Sequence, residues 1–325
     1  MKLSVVIVNY RGWKKLRLCL KSLACLNNAS FDWEVIIVDN QSDDGELPGF
    51  IHEFPQFRFI ENEGNYGFSN GCNLGARQSK GEYIFFLNSD TQVTLDSIQQ
   101  LLNSLLNNPE ISILSCQQKD ETGRDTKPYG LFLKPTTLTS MLRSFYRLVH
   151  KPLPIHFLKS GIKIIYPEWV SGSAIMISKK LFDEIGGWSE DFWMYYEDAD
   201  LCKRVTNLGG KVALLTNVQI IHNHGGSSRI NFEVKALTKS EVIISKHVYI
   251  NKYFTGIKHF VMQASLVFSN LLLDSLFMAL IGLLFFFKPS LRVYMRVYAN
   301  TITYYKGVIA NETWLSPRST NFRKE

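Results

Sequence analysis

The segment YIFFLNSDT, residues 83–91, joins a strand to a polar loop. Its apolar run Ile84–Leu87 is typical of a strand that is covered on both faces of a parallel sheet. The run ends in Asn88-Ser89-Asp90, and ligands of open α/β sheets bind at the carboxyl ends of the strands. Asp90 is therefore placed to bind a hard cation that bridges a diphosphate. The alternative is that Asp90 caps the helix that begins near Thr94.

The composition is that of a folded protein with one large core or two smaller ones. Of its 325 residues, 46% are hydrophobic and 20% are charged, which excludes a disordered chain. Met1-Lys2 runs directly into an apolar strand without a cleavage-like site, so no signal peptide is expected. The 5 cysteines form no CxxC pair. They are predicted to be reduced packing residues of a cytosolic protein, and structural zinc is not expected.

Basic residues are concentrated in two zones of the chain, which has a net charge of +7. No acidic residue lies between Asp125 and Glu168, and the tail after Phe287 is also basic. Both zones are interleaved with aromatic and aliphatic residues, a mixture that suits an anionic membrane surface better than a nucleic-acid duplex. A solvated basic face without a partner is the alternative. Because no nucleic-acid-reading motif occurs among these residues, no nucleic-acid partner is predicted.

Strand-like and helical segments alternate over residues 1–115, the predicted first half of a single domain. The strand-like segments are Leu3–Val8, Val35–Val38, Phe57–Ile60, Ile84–Leu87 and Ile111–Leu114, and the helical ones include Trp13–Leu26, Ser69–Gln78 and Ser97–Leu106. This alternation predicts an α/β fold with a mostly parallel, twisted sheet flanked by helices. The motifs of a dinucleotide site, GxGxxG, and of a P-loop are both missing from the sequence, so neither site is predicted.

Residues 116–229, the predicted second half of that domain, carry another acidic motif. In WSEDFWMYYEDADLCKR, apolar residues recur at helical spacing after Glu197-Asp198, so these carboxylates are predicted at the entrance of a helix. The last strand-like segments, Val212–Leu215 and Val218–Ile221, lead into the sequence HNHGGSS, which begins at His222.

Residues 230–325 are predicted to form a helical tail that associates with a membrane. The segment Val261–Phe287 is apolar enough to reach across a bilayer. However, Gln263, Asn270 and Asp274 align on one helical face, which favours a helix that lies in the membrane interface or packs on protein. Association in the membrane plane is therefore favoured over a single span and over a purely soluble helical pair.

Taken together, the motifs resemble those of the family 2 glycosyltransferases, specifically the rhamnosyltransferase-like branch with the GT-A fold. The matching segments are VVIVNY, VDNQSDDG, ENEGNYGFSNGCNLG, FLNSDT, WVSGSAIMI, IGGWSEDFWMYYEDADLCKR and IIHNHGGSS, in this order between Leu3 and Ser228. The resemblance implies transfer of a sugar from a nucleotide-diphosphate donor, with inversion at the anomeric carbon. The QxxRW motif of processive polysaccharide synthases does not occur in the sequence, which argues against that activity.

The resemblance also implies roles for individual residues. The residues predicted to bind the donor nucleotide are Asn9, Asp39, Asn65, Gly67, Asn73 and Asn88, with Asp39 on the nucleoside base. Asp90 would bind Mg²⁺ or Mn²⁺ on the diphosphate, and Asp198 would be the general base. The family pattern HxxGGS falls on His222, which is preferred over His224 as a further metal ligand.

The chemistry of sugar transfer requires the same residue types. Cleavage of the sugar–phosphate bond leaves negative charge on the diphosphate, and a divalent ion neutralises this charge. Inversion needs an acceptor hydroxyl that is deprotonated by one positioned carboxylate. Asp198 is preferred as this base, and Glu197 is the alternative. Because Asn88 replaces the first carboxylate of the usual acidic triplet, metal affinity is expected to be weak and dependent on the donor phosphates.

The predicted function is that of an inverting hexosyl- or deoxyhexosyltransferase that extends a lipid-linked glycan in surface polysaccharide assembly. It would act at the cytoplasmic side of the cell membrane, as a peripheral or monotopic protein, with a single span as the alternative. Trp188 and Tyr196 are predicted to contact the acceptor, and core packing is the other possible role for Trp188. The rival functions are a nucleotidyltransferase and a catalytically silent sugar-nucleotide-binding or scaffold subunit.

Overall fold

The computed structural model describes residues 1–25, 30–138, 163–223 and 231–324. The chain forms two compact units. Unit 1 consists of residues 1–132, 156–189 and 197–227, and unit 2 of residues 133–155, 190–196 and 228–325. His224 and the amphipathic helix predicted near residues 139–149 lie outside the described residues.

Unit 1 is built around a nine-stranded sheet with the order β3-β2-β1-β4-β10-β6-β11-β5, in which β8 also pairs with β11. The strands are β1 Leu3–Asn9, β2 Trp33–Asp39, β3 Arg58–Glu61, β4 Tyr83–Asn88, β5 Thr91–Gln92, β6 Ile111–Lys119, β7 Tyr129–Gly130, β8 Ile164–Ile165, β9 Trp169–Val170, β10 Ala174–Ser178 and β11 Lys211–His222. Strands β7 and β9 pair separately.

The sheet is parallel from β3 to β4 and mixed beyond. The register aligns Asn9 with Asp39 and Val8 with Asn88, so the carboxyl ends of β1, β2 and β4 lie at one edge. Strand β10 runs antiparallel to β4, with Ala174 opposite Leu87. The α/β class is confirmed, although the sheet has more antiparallel pairing than the sequence suggests. Because β10 enters the sheet at the carboxyl end of β4, the residues before it lie beside the predicted site.

Six helices accompany this sheet in the described part of unit 1. They are α1 Trp13–Ala24, α2 Leu47–Glu53, α3 Phe68–Gln78, α4 Leu95–Asn107, α5 Lys179–Glu184 and α6 Glu197–Asn207. Helix α4 is capped by Thr94, whose Oγ1 accepts a hydrogen bond from Ser97 N at 3.1 Å. The cap is therefore Thr94 and not Asp90, which leaves the Asp90 carboxylate for another role.

Unit 2 is helical in its described residues after 230. Its helices are α7 Phe232–Tyr253, α8 Gly256–Phe268, a π-helical turn at Ser269–Leu273, α9 Asp274–Leu284 and α10 Pro289–Asn311. The apolar segment predicted at 261–287 thus begins earlier and contains a π-helical turn. Within the described residues, one helical segment, Gly256–Leu284, is long and apolar enough to cross a membrane by length and composition.

The polar residues of α8 and the π-helical turn face the interior of unit 2. Asn270 Nδ2 donates to the hydroxyl of Tyr305 at 2.9 Å, and Gln263 Oε1 is 2.5 Å from Nδ1 of buried His247. The Tyr305 hydroxyl is also 2.9 Å from His247 Nε2. Both His247 nitrogens thus have hydrogen-bond partners, and the π-helical turn places Asn270 within reach of this network.

Burial of His247 predicts that unit 2 loses stability in acid. Burial lowers the pKa of His247 from 6.5 to about 3, so the unfolded chain binds a proton that the folded unit excludes. The contribution of His247 to the free energy of unfolding should be constant above pH ~6.5 and fall by roughly 1.4 kcal/mol per pH unit towards pH ~3. Hydrogen exchange of α7 amides between pH 7 and 4 would measure this, after correction for intrinsic exchange rates.

His247→Gln should flatten this pH dependence, because glutamine does not titrate. The matched control is His259→Gln, since His259 is partly exposed on α8 and also contacts Gln263. This control should keep the parental pH dependence. If the free energy of unfolding falls equally with pH in the parent and in His247→Gln, another group causes the acid sensitivity.

Candidate active site

Asn9 and Asp39 lie at the ends of β1 and β2 and order the acidic turn that follows β2. Asp39 Oδ1 accepts hydrogen bonds from Asn9 Nδ2 at 3.0 Å and from Ser42 Oγ at 2.6 Å, while Oδ2 accepts from Ser42 N at 2.8 Å. Asn9 Oδ1 accepts from Gly12 N. Asn9 is fully buried. It therefore stabilises the turn from inside the protein and does not contact a nucleotide donor in this structure. Asp39 is buried too, and the nucleoside base of a donor would have to displace one of its present hydrogen-bond partners.

A group of amides that sequence reasoning did not assign fixes the start of α3. Asn40 Nδ2 donates to Gly67 O at 2.9 Å, and Asn62 Nδ2 donates to Asn40 Oδ1 and Asn70 Oδ1 at 3.1 and 2.8 Å. Gly67 has φ 91°, a backbone conformation that favours glycine. The predicted donor residue Asn65 is half-buried in the same loop, where its Oδ1 accepts from Gly67 N.

Asn73 and Trp188, predicted to touch the donor and the acceptor, bond to each other. Asn73 Nδ2 donates to Trp188 O, and Trp188 N donates to Asn73 Oδ1, both at 2.9 Å. The Trp188 ring is 1% exposed and lies edge-on to Phe68 and Phe86. Trp188 is therefore a core residue, as the alternative reading allowed, and cannot stack on a sugar in this structure. The Asn73 side chain holds the backbone of Trp188 in place.

Asp90 and His222, to which the family resemblance assigns one cation, lie side by side. Strand β11 pairs with β5 so that His222 is opposite Thr91, and Asn223 N donates to Asp90 O at 2.8 Å. His222 Nε2 is 3.2 Å from Asp90 Oδ1. The two residues are only 5% and 7% exposed, so their side chains are held in this arrangement by the surrounding structure.

The Asp90–His222 pair fits a divalent cation in the chemistry of its donor atoms. A carboxylate oxygen and an imidazole nitrogen are both ligands of Mn²⁺, and carboxylate is preferred by Mg²⁺. Among the described residues, no group of three or more His, Cys, Asp or Glu side chains could hold a metal ion. The dependence of metal binding on the donor phosphates, expected from Asn88, stays a prediction.

Glu197 and Asp198 open α6 and have different surroundings. Asp198 Oδ2 accepts from Gly172 N at 3.2 Å, and Oδ1 accepts from Ala199 N at 2.8 Å. Glu197 Oε2 accepts no hydrogen bond from the residues that the structure describes. Burial, and then the neighbouring Asp198, raise the pKa of Glu197 well above its ordinary value, and burial also raises that of Asp198. Because two N–H groups stabilise the Asp198 anion, Asp198 is the carboxyl of the pair that ionises more readily.

One short segment connects the two carboxylates of the predicted mechanism. Gly172 donates its N–H to Asp198, and the next residue, Ser173, has its Oγ 2.8 Å from Gln118 Nε2. Gln118 Oε1 is in turn 2.8 Å from Nδ1 of His222, the neighbour of Asp90. Asp90 and Asp198 thus belong to one hydrogen-bonded cluster within unit 1. Gln118 and Ser173 are the members of this cluster that motif matching did not identify.

The predicted acceptor residue Tyr196 lies in unit 2, where its ring packs on Tyr249 at a centroid distance of 5.6 Å. Both Tyr195 and Tyr196 have left-handed backbone conformations, with φ of 72° and 66°. Such conformations are costly for residues with a Cβ and cluster at functional sites. The acceptor role of Tyr196 stays a prediction.

Comparison with known proteins identifies two family models that match the chain. The model for glycosyl transferase family 2 matches residues 4–186, and the model for the N-terminal domain of galactosyltransferase matches residues 151–224.

Two curated relatives match about two thirds of the chain. A low-salt glycan biosynthesis hexosyltransferase, Agl10 of Haloferax volcanii, is 27% identical over 225 residues, covering 68% of this chain and 67% of the relative. An N-acetylglucosaminyl-diphospho-decaprenol L-rhamnosyltransferase of Mycobacterium tuberculosis is 24% identical over 245 residues, covering 70% and 77%.

A solved structure of GalNAc-T7 with UDP, GalNAc and Mn²⁺ superimposes with a TM-score of 0.52 at 15% identity. The match covers 78% of this chain and 50% of that one. At this identity, the likeness shows a shared fold and nothing about substrates.

Proposed function

The chain belongs to glycosyl transferase family 2 and is a glycosyltransferase of glycan biosynthesis, and from this premise we propose that it moves one hexosyl or deoxyhexosyl unit to a lipid-linked glycan. The donor is a nucleotide-diphosphate sugar, and the anomeric configuration is inverted. The observation that carries this proposal is the cluster in which Asp90, His222 and Asp198 are joined through residues 172–173 and Gln118. It combines ligands for a diphosphate-bound cation with one carboxylate for the acceptor.

Asp90 and His222 would hold Mg²⁺ or Mn²⁺. The cation supplies positive charge where the leaving diphosphate becomes negative. The residues themselves contribute by being buried and fixed, so that the donor phosphates can complete the coordination without rearranging the protein.

Asp198 would accept the proton of the acceptor hydroxyl. Its raised pKa brings it closer to neutral pH, which makes a carboxylate a better proton acceptor, while the N–H groups of Gly172 and Ala199 keep it ionised in the resting state. The pKa of Glu197 is raised well above its ordinary value, so this neighbour opposes ionisation of Asp198 less than an ordinary glutamate would.

A lipid-linked acceptor is supported by the surface of unit 2. Gln263 and Asn270 face inward, and the opposite side of α8 and the π-helical turn exposes an apolar face formed by Ile257, Phe260, Phe268 and Leu272. An apolar groove of about 650 Å³ lined by Phe260, Leu272 and Trp314 adjoins it. This arrangement suits a helix that lies in the membrane interface better than one surrounded by lipid. The decaprenol group in the name of the mycobacterial relative agrees with an acceptor of this class.

The apolar face predicts that membrane binding depends on particular residues. The double variant Phe260→Asp and Leu272→Asp should lower the fraction of full-length protein that floats with phosphatidylglycerol vesicles by at least about tenfold, because each change removes about 1.5–3 kcal/mol of apolar burial. Ile309→Asp is the matched control, since Ile309 is 81% exposed on α10. Equal flotation of parent and double variant would contradict the proposed face.

The side of the membrane on which the site acts is inferred from the donor. Nucleotide sugars are soluble metabolites, so the site is proposed to act at the cytoplasmic side of the cell membrane, with the protein peripheral or monotopic. An anionic membrane surface and the glycan acceptor are its proposed partners.

The product of the reaction tests the proposal. A panel of nucleotide sugars with Mn²⁺ should contain one that raises the Tm, since a ligand that binds only the folded state stabilises it. With that donor and a lipid-linked glycan, the protein should release a nucleoside diphosphate. Release of pyrophosphate would identify a nucleotidyltransferase instead, and donor binding without turnover on any acceptor would identify a silent subunit.

A further inference from the structure

The loop of residues 190–196 is held by two other parts of unit 2. We propose that Asn321 is a positioning residue that fixes this loop through Asp191. The loop matters for the reaction because it leads directly into Glu197-Asp198 at the start of α6. The effect on the reaction rests on the proposed role of Asp198, whereas the ordering of the loop does not.

The loop needs support because its last two residues have a strained backbone. Tyr195 and Tyr196 have φ of 72° and 66°, and a left-handed conformation costs energy for any residue with a Cβ. Two such residues in succession persist only where the surrounding structure over-determines their conformation. The backbone that leads into α6 therefore depends on what holds residues 190–196.

One face of α7 contacts the loop at two points. Ser245 Oγ donates to Met194 O at 2.8 Å, and Lys252 Nζ lies 3.1 Å from Asp191 Oδ2. Ser245 and Lys252 are seven positions apart, which places them two turns apart on the same face of the helix. The side chains of the ion pair are 28% and 26% exposed, and an ion pair at that exposure contributes little to stability. The contacts with α7 therefore fix Met194 better than Asp191.

Asn321 supplies a second contact at Asp191. Its Nδ2 donates to Asp191 Oδ1 at 2.7 Å. Because an ionised carboxylate only accepts hydrogen bonds, the orientation of the Asn321 amide is determined. The two oxygens of Asp191 thus have different partners, the amide on Oδ1 and the ammonium group of Lys252 on Oδ2. The carboxylate cannot rotate without breaking one of these contacts.

The segment after α10, which carries Asn321, is itself fixed. Ser316 and Ser319 in this segment are fully buried. Ser316 Oγ and Arg318 Nη1 donate to the two carboxylate oxygens of Glu241 on α7, at 2.9 and 2.8 Å. Glu241 is fully buried, so loss of the arginine would leave an uncompensated buried charge. Asn321 is therefore presented by an ordered segment.

Exchanging the two side chains tests the contact. Asn321→Asp places a second carboxylate opposite Asp191 and should release the loop, because two like charges at this distance repel each other. Adding Asp191→Asn to this variant restores a hydrogen bond with the donor and the acceptor exchanged. The matched control is Asn311→Asp, since Asn311 is an exposed asparagine at the end of α10 whose Nδ2 donates to Gly307 O at 2.9 Å.

Hydrogen exchange of the full-length protein, read by mass spectrometry over residues 190–196, measures release of the loop. In Asn321→Asp these amides should exchange at least about 10-fold faster than in the parent, and in the double variant within about threefold of it. Asn311→Asp should match the parent.

Unchanged exchange of the loop in folded Asn321→Asp would overturn the proposal. A double variant that exchanges as fast as Asn321→Asp would also overturn it, because the contact with Asp191 would then not be the cause. If Asn321→Asp does not fold, Asn321→Ala replaces it, since this change only removes the hydrogen bond. The expected increase is then about 3- to 10-fold, and no increase would overturn the proposal.

Kinetics with the donor and acceptor that the parent uses separate this inference from the proposed function. Asn321→Asp should lower kcat/KM for the acceptor at least about fivefold with the Kd for the donor unchanged, because a misplaced base slows the reaction without weakening donor binding. The double variant should recover most of this loss. Faster exchange of the loop with an unchanged kcat/KM would overturn the positioning role. If the loop is released as expected but the parent transfers no sugar, the ordering of the loop by Asn321 stands and the proposed function fails.

Discussion

Replacing Asp198 with asparagine is expected to lower kcat by about 10³-fold while the affinity for the donor stays unchanged, the range typical of losing a general base. Asparagine has nearly the same size and can still accept the hydrogen bond from Gly172 N or Ala199 N. It cannot take a proton from the acceptor hydroxyl. Initial rates with saturating donor and acceptor, together with donor titration by calorimetry, would measure the two effects separately.

The control for this change is Asp183→Asn, because Asp183 is an exposed aspartate on α5 whose carboxylate pairs with Lys179 at 3.0 Å. This variant should turn over at the parental rate. A parental rate for Asp198→Asn would remove Asp198 from the mechanism, and a large loss in Glu197→Gln alone would then assign the base to Glu197.

The pH dependence gives a second measure of the same residue. Since burial raises the pKa of Asp198, the acid limb of kcat/KM should lie above the ordinary aspartate range. Activity should rise with pH through that limb, because the base must be ionised to act. The apparent pKa of this limb is a property of the coupled Glu197–Asp198 pair and not of either residue alone.

Replacing Asp90 with asparagine is expected to reduce kcat at low Mn²⁺ concentration by at least about 100-fold and to raise the Mn²⁺ concentration required for half-maximal rate by about 10- to 100-fold. The change removes one negative charge from the Asp90–His222 pair and leaves the buried shape intact. High Mn²⁺ should restore part of the rate, which a loss of folding would not allow. Rates measured over a Mn²⁺ series at fixed donor would show this.

Asp96→Asn is a suitable comparison, because Asp96 is exposed in the first turn of α4, only six residues from Asp90. Its Mn²⁺ requirement should equal that of the parent. An unchanged Mn²⁺ requirement in Asp90→Asn would exclude Asp90 as a ligand, whatever happens to the rate.

The α/β class and the neighbourhood of the site could be predicted because they depend on local patterns. Short apolar runs that end in polar residues located the carboxyl ends of β1, β2 and β4, and the structure aligns those ends. The proximity of Asp90 and His222 was predictable only through the family resemblance, since 131 positions separate them. Pairing of β5 with β11 creates that contact, and no local pattern predicts this pairing.

Burial is the property that motif matching failed to predict. Asn9, Asn73 and Trp188 occur in the matching motifs, yet all three are buried: the two asparagine side chains bond to other protein residues, and Trp188 bonds to Asn73 through its backbone. Conversely, Gln118 belongs to none of those motifs. A signal was nevertheless present, because an amide close behind the apolar residues of a buried strand must have partners there.

The helical tail shows a similar limit. The common face of Gln263 and Asn270 was visible in the sequence, and both side chains are buried in unit 2. The π-helical turn was not visible in the sequence, and the partner of its Asn270 is Tyr305, 35 residues further along.

Residues 172 and 173 have a consequence for how such enzymes diversify. Gly172 bonds to Asp198, and Ser173 reaches His222 through Gln118, so under the proposed mechanism a substitution here would alter proton transfer and ion dependence together. Natural variation in one property should then be inherited with variation in the other.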